Sequence, residues 1–432
     1  MKYFLITYGC QMNQSDSERI ASLLENINYK PVPRQEWWGA DLIVVNMCSI
    51  RESAVNRVDG LMNKMKKTNK RKSKKVKSIL TGCILKSDLK KLKKYFNFVL
   101  PIKTLETWPA LLKEKQFFYY PEQRNSNFNK KFRSDYFHID SKNQNKFSAL
   151  VPISSGCNNF CTYCVVPYTR GPLICRPHQT IIEEVKKLVK NGAKEAWLLG
   201  QNVNDYKSGK VDFPELLRLI NDIAGNFWIR FTSPHPKDFS DKLIKAMANC
   251  KKFKPYLNLP VQSGNNQILK KMNRPYTAVQ YKNLVKKIRK NIPNIALSTD
   301  AIVGFANETK KQFENTLKLF KEIKYDMAYL AIYSPRPQTA GFKFINTLSK
   351  SENGRRYKLL TKIIKETALE NNKKYIGQTV EALINEFKND FLIGKTDTYK
   401  TIRLKGSKKL VGKFIKAKVI EATSFGLRAI LT

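Results

Sequence analysis

The sequence predicts an α/β protein in three parts: an N-terminal parallel α/β domain, a central partial (β/α)6 TIM-like barrel and a C-terminal small all-β barrel. Three observations predict it. Strand and helix periods alternate near the start, they alternate again from about residue 147, and after Asn372 short strands with glycine turns replace the helical period. A chain of 432 residues also exceeds what one core ordinarily supports.

The first part runs KYFLITYG, SDSERIASLLENI, DLIVVNMC, a long lysine-rich helix, SILTGC and FNFVLP, which reads as a small parallel sheet with helices. Ser15 or Asp16 is expected to cap the first helix. Cys10, Cys48 and Cys83 each end or directly follow a strand. Strand carboxyl ends share one edge of a parallel sheet, so three soft ligands converge there. Residues 117–146 mix asparagine, lysine and aromatics without a period and read as a linker. The expected boundaries are 1–117, a linker at 118–142, 143–374 and 375–432.

In the central part SALVPISS, EAWLLG, FWIRFTS, YLNLP, ALSTDAIVG and AYLAIY are separated by helical patterns such as TIIEEVKKLVKNG. Six βα repeats fall short of the eight of a closed barrel, so an open one is expected. The tail reads YIGQTVEALINE, FLIGKTDTYKTIRL, LVGKFIKAKVIEAT and FGLRAILT, the pattern of a small β-barrel.

Composition bounds the partners. A formal charge of +44 favours a polyanion, nucleic acid first, although a lysine- and asparagine-rich composition also inflates ordinary surfaces. No apolar run approaches a bilayer span, so no membrane association and a cytoplasmic location are expected. Eight cysteines in a cytoplasmic chain point to metal or catalysis rather than a disulfide framework. The basic run Lys64 to Lys77 either touches phosphates or extends a loop.

The strongest local signal is Cys157-Asn158-Asn159-Phe160-Cys161-Thr162-Tyr163-Cys164, just after the first barrel strand. Thiolates at this spacing can hold three irons of a 4Fe-4S cluster and leave the fourth without a protein ligand. Structural zinc is the alternative, but it takes four ligands, and Cys175 and His178 lie outside the run. Gly200-Gln201-Asn202 ends the second strand, Pro260 to Gly264 ends the fourth, and Ser298 to Glu308 spans the fifth, where barrel function gathers. Each of these has a plain structural alternative as well.

These motifs, with TYGCQMNQSDS, NMCSIRESA and TGC in the first part, resemble the methylthiotransferase family of radical S-adenosylmethionine (SAM) enzymes. That family joins a three-cysteine domain, a radical SAM core and a terminal TRAM domain in this order. The resemblance implies one 4Fe-4S cluster on Cys157, Cys161 and Cys164 that binds SAM and cleaves it to a radical. It implies a second on Cys10, Cys48 and Cys83 that carries the methylthio donor, two SAM per turnover, and no catalytic residues beyond the cluster ligands. Tyr163, Gly200, Gln201, Asn202, Gln262, Ser263, Arg274, Ser298, Asp300, Gly304 and Glu308 would lie at SAM.

The implied partners are tRNA, through the anticodon stem-loop, and an electron donor such as flavodoxin or ferredoxin, with the enzyme a monomer. YGCQMN, CSIRE, VVPYTRG and YSPRP match the branch acting on prenylated adenosine. Threonylcarbamoyl-adenosine tRNA, a ribosomal-protein aspartate, or a non-catalytic metal-containing RNA-binding role are the alternatives. Departures are Ala306-Asn307 where the family often has Pro-Gly, Gln338 where glycine is usual, Cys175 where serine is common, and Ile-Leu-Lys after Cys83. Lys408, Lys409, Lys413, Lys416 and Lys418 in the tail would meet RNA.

Overall fold

Apolar residues on alternate faces build the first sheet. The computed structural model describes residues 1–50, 52–69, 76–113, 135–142 and 145–432. Arg51, residues 70–75 of the basic run and residues 118–134 of the expected linker lie outside the described residues. Strands β1 (Lys2–Tyr8), β2 (Lys30–Pro31), β3 (Leu42–Cys48), β4 (Lys77–Cys83) and β5 (Phe98–Val99) lie in the order β2-β1-β3-β4-β5, all parallel. β3 is buried along its whole length, as a strand covered on both faces must be. Leu42 and Val44 pack with Ile20, Leu24 and Trp108 on one face, while Ile43 and Val45 pack with Val58 and Met62 of helix Glu52–Asn69 on the other.

The first helix departs from expectation. It spans Gln11–Asn26 with Cys10 as its N-cap, so Ser15 and Asp16 sit inside it, fully buried. Asn13 explains the earlier start, because its side-chain oxygen accepts from the Cys10 amide at 3.3 Å and satisfies a helix-end donor. The end of the expected linker also differs. Tyr136 and Phe137 are buried in the core against the first helix, where their ring area outweighs the polar composition around them.

Six parallel strands follow, matching the six expected: β6 (Ser148–Pro152), β9 (Glu195–Leu199), β12 (Trp228–Phe231), β13 (Tyr256–Asn258), β14 (Ala296–Val303) and β15 (Met327–Ile332). They pair as β12-β9-β6 and β13-β14-β15, joined by one parallel bridge between Ile229 and Phe253. Two small pairs, β7 (Ser154–Ser155) with β8 (Ile174–Cys175) and β10 (Lys207–Ser208) with β11 (Val211–Asp212), decorate the connections. Val151, Leu198, Ile229, Leu257 and Leu297 pack outward under helices such as His178–Lys190 and Lys310–Ile323. Leu150, Trp197, Leu199, Tyr256 and Ala296 alternate with them and form a second cluster with Met12 of the first helix and Tyr399 of the tail.

The tail is a closed five-stranded barrel of β16 (Thr379–Lys388), β17 (Phe391–Thr396), β18 (Thr401–Lys405), β19 (Phe414–Thr423) and β20 (Gly426–Leu431), ordered β16-β17-β18-β20-β19. It docks at the amino-terminal ends of the central strands. There buried Arg230 pairs with Glu195 at 2.5 Å and donates to the carbonyls of Thr396 and Asp397, and Lys400 pairs with Asp326 at 2.5 Å. The N-terminal domain contacts the rest through buried charge. Arg19 and Arg176 share Glu184, Arg170 pairs with Asp16, and Arg336 pairs with Asp88.

Candidate functional site

Parallel register brings the first trio together. Cys48 and Cys83 are direct partners at the ends of β3 and β4, and Cys10 follows β1, which neighbours β3. Gly82 makes the last step possible. Its φ is +107°, and a Cβ there would lie 2.2 Å from the Met47 carbonyl oxygen. Cys10 sits at the helix N-terminus, whose partial positive charge works against the burial and the neighbouring Cys83 charge that push its thiol up. Asn13 links all three strand ends: its Oδ1 lies 3.4 Å from Cys10 Sγ, and its Nδ2 donates to Asn46 Oδ1 at 3.1 Å and lies 3.9 Å from Cys83 Sγ.

Charge at this edge is polarised. Cys48 donates to Cys83 and is pushed well above the ordinary thiol range. Cys83 is pulled down to about 6 by that hydrogen bond and by the Arg170 guanidinium, against the effect of burial. Arg170 Nε donates to Cys83 Sγ at 3.0 Å, and Nη2 donates to Asp16 Oδ2 at 2.6 Å. Tyr136 donates to the other Asp16 oxygen at 3.0 Å. Among the described residues nothing accepts from the buried Arg170 Nη1.

The second trio lies on the loop after β7. The Cys164 amide donates to the Cys161 carbonyl at 2.8 Å, and the Cys157 amide to the Gly171 carbonyl at 3.2 Å. Burial pushes the Cys164 thiol up to about 12, and the charges of Cys161 and Cys157 add to the rise. Met272 and Asn273 support the loop through the Thr162 amide and the Asn159 and Phe160 carbonyls. Arg274 is buried, donates to Tyr276 and the Pro260 carbonyl, and lies 3.7 Å from Cys161 Sγ. Because Arg170 follows the same loop, this one segment reaches both trios.

The residues expected at SAM divide into two groups. Tyr163 packs edge-on to Phe305, Gln201 accepts from the Gly156 amide beside Cys157, and Arg274 reaches Cys161, so these three surround the loop. Gln262, with φ +67°, is bridged to Ala301, and Asp300 accepts from Asn258. The others have protein partners: Asn202 donates to Asp238, Ser263 meets Thr316, and Ser298 meets Tyr256. Gly200 lies against Ser154. Gly304, with φ +73°, donates to Glu308, which is buried and paired with Arg356. Asn307 and Gln338 have positive φ, the conformation that makes glycine usual there, and Ala306 has one too, which the proline usual at that position could not adopt.

Sequence reasoning missed Arg170, Asp16 and Asn13 as members of the site. Their motifs, VVPYTRG and CQMNQSD, were the available signal. Among the described residues no three His, Cys, Asp or Glu side chains are grouped to hold a single metal ion. A 4Fe-4S cluster spreads its three thiolates over separate irons and needs a wider trio. The low Cys83 thiol, the helix end at Cys10 and the orphaned Arg170 Nη1 all suit an anionic group of that kind. On the tail barrel Lys408, Lys409, Lys413, Lys416 and Lys418 are all exposed.

The sequence matches three known families in order: uncharacterized protein family UPF0004 over residues 2–101, the radical SAM superfamily over 151–320 and the TRAM domain over 373–432. The fold is also similar to a solved radical S-adenosylmethionine methyltransferase, TsrM from Kitasatospora setae. That likeness has a TM-score of 0.52 at 11% identity, over 79% of this chain and 73% of that one. The class is therefore a radical SAM protein with an added thiol-bearing sheet domain and a TRAM tail. A tRNA-2-methylthio-N(6)-dimethylallyladenosine synthase of Clostridium botulinum (strain Okra / Type B1) is 40% identical over 99% of this chain and 96% of its own length. One from Clostridium novyi (strain NT) is 39% identical over 99% and 95%. The chain belongs to the tRNA-2-methylthio-N(6)-dimethylallyladenosine synthase family.

Proposed function

We infer that this chain is a tRNA methylthiotransferase that converts N6-dimethylallyladenosine, next to the anticodon, to its 2-methylthio derivative. The observation that carries the reading is the presence of two separate thiol trios, served by one loop, in a chain alike over its full length to enzymes of that name. Cys157, Cys161 and Cys164 would hold one 4Fe-4S cluster, and Cys10, Cys48 and Cys83 the other. When bound, the clusters supply the electron that cleaves SAM and the sulfur that is transferred, chemistry no ordinary acid or base could perform at an adenine carbon.

The chain's own residues prepare the site. Arg274 and Tyr163 flank the loop of the radical trio, and Gln201 holds its Gly156 amide. Gln262, Ser263, Asp300, Gly200, Asn202, Ser298, Gly304 and Glu308 shape the strand ends where SAM would lie. The layout we assign is 1–117 for the auxiliary-cluster domain, 118–142 as linker, 143–374 for an open (β/α)6 radical SAM core and 375–432 for the TRAM barrel. The exposed barrel lysines suit the phosphates of the anticodon arm. An electron donor such as flavodoxin or ferredoxin, a monomeric state and a cytoplasmic location complete the reading. Among the described residues no helix is long and apolar enough to cross a membrane.

Nucleoside mass spectrometry of tRNA from a strain lacking this gene tests the substrate. The methylthio derivative should vanish and N6-dimethylallyladenosine accumulate. Loss of methylthio-threonylcarbamoyl-adenosine instead would overturn the assignment.

A further inference from the structure

Among the described residues, Arg170 hydrogen-bonds a cysteine of one trio, Cys83, from the end of the loop that carries the other. Its Nε donates to Cys83 Sγ at 3.0 Å, and its Nη2 is fixed by Asp16 at 2.6 Å. Asp16 is itself held by Tyr136. All three residues are buried or nearly so, with side-chain exposures of 4% for Arg170 and 0% for Asp16. A guanidinium presents its donors in a rigid plane, so fixing Nε and Nη2 also fixes Nη1. Nη1 is buried, and no described residue accepts from it. A buried charged donor without an acceptor is a poor resting arrangement, because nothing repays its desolvation.

We propose that Arg170 is a positioning residue whose Nη1 donates to the anionic iron-sulfur group held by Cys10, Cys48 and Cys83, while its Nε donates to the Cys83 thiolate. This rests on the reading that the N-terminal trio holds a 4Fe-4S cluster. It adds a consequence of its own. A cation that donates to the cluster and to one of its ligands, Cys83, stabilises the more negative, reduced cluster and so raises its reduction potential. Asp16 works in the opposite sense, because its carboxylate offsets the cation while holding it in place. Reduction of the donor cluster is thereby tied to the docking of the loop that carries Cys157, Cys161 and Cys164.

The test uses the full chain with Cys157, Cys161 and Cys164 all replaced by alanine, so that a single cluster titrates. Iron and sulfide are counted, and the potential is measured by a redox titration followed by electron paramagnetic resonance. About four irons are expected in this parent. Adding Arg170→Gln should lower the potential, Arg170→Lys should lie between it and the parent, and Asp16→Asn should raise it. Opposite shifts for Arg170→Gln and Asp16→Asn cannot come from general loosening of the domain. Unchanged potentials with the iron retained, or shifts of the same sign in both variants, would overturn the role of Arg170 alone. A parent that takes up no iron-sulfur cluster would overturn the reading of the N-terminal trio and this inference together.

Discussion

Arg230→Met should detach the tail barrel from the central strands at a cost that can be worked from the contacts. Arg230 is fully buried, pairs with Glu195 at 2.5 Å, and donates to the Thr396 and Asp397 carbonyls at 2.9 and 2.8 Å. Its guanidinium also lies 5.0 to 5.8 Å from the ring centres of Trp228, Trp197 and Tyr399. Methionine fills much of the stem volume, so the loss is mainly electrostatic. Among the described residues, Glu195 would then be buried with Ser148 and Trp197 as its remaining side-chain donors. Removing one partner of a buried pair costs about 3–5 kcal/mol, whereas an exposed pair is worth about 0–1 kcal/mol. The two carbonyls lose a charged donor as well, though the terms do not add fully. Urea unfolding followed by tryptophan fluorescence reports this junction directly, through Trp197 and Trp228. A loss of at least about 3 kcal/mol is expected; a loss below about 1 kcal/mol would refute the reasoning. Glu195→Gln in the same background should recover part of the loss, because it removes the stranded charge.

Cys48→Ala should lower bound iron from about eight to about four per chain and end methylthio transfer while SAM cleavage persists, whereas Cys161→Ala should abolish cleavage; deoxyadenosine formed by the Cys161 variant would contradict this. Gln338, exposed and held at φ +71°, should gain about 1 kcal/mol on change to glycine, read as a higher unfolding midpoint. Burial beside Arg274 and Lys237 lowers the His235 imidazole to about 2, and its Nδ1 accepts from the Lys237 amide. A base depressed in the folded state contributes fully above its unfolded pKa of about 6.5 and loses stability as pH falls below it. Moving from pH 7.5 to pH 5 should therefore cost about 2 kcal/mol, and His235→Gln should remove that slope. Lys416→Glu with Lys418→Glu should weaken tRNA binding and reduce its salt dependence by roughly one unit of log-log slope per lysine, measured by filter binding at several salt concentrations.

Much of the fold was legible because period and punctuation agree. The six central strands begin and end where turn residues bracket apolar runs, and the cysteines of YGC, NMC and TGC meet because parallel register puts strand ends on one edge. What was not legible depends on contacts distant in sequence. Asp16 looks like a helix cap in isolation, yet Asn13 starts the helix earlier and frees Asp16 to hold Arg170 across the domain junction. Tyr136 and Phe137 sit in a polar, aperiodic stretch, and only the groove beside the first helix decides their burial. Glu308 carried no sequence sign that Arg356, far along the chain, would pair with it. The packing of Met12 and Tyr399 against Leu150, Trp197 and Tyr256 has the same origin, since both come from other domains.

The most direct measurement is anaerobic turnover of the reconstituted chain with SAM, a reductant and tRNA carrying N6-dimethylallyladenosine, followed by nucleoside mass spectrometry. The account predicts a product heavier by a methylthio group in place of hydrogen, formed only when both thiol trios are intact. Deoxyadenosine released while the tRNA stays unchanged, or product formed without Cys10, Cys48 and Cys83, would contradict it.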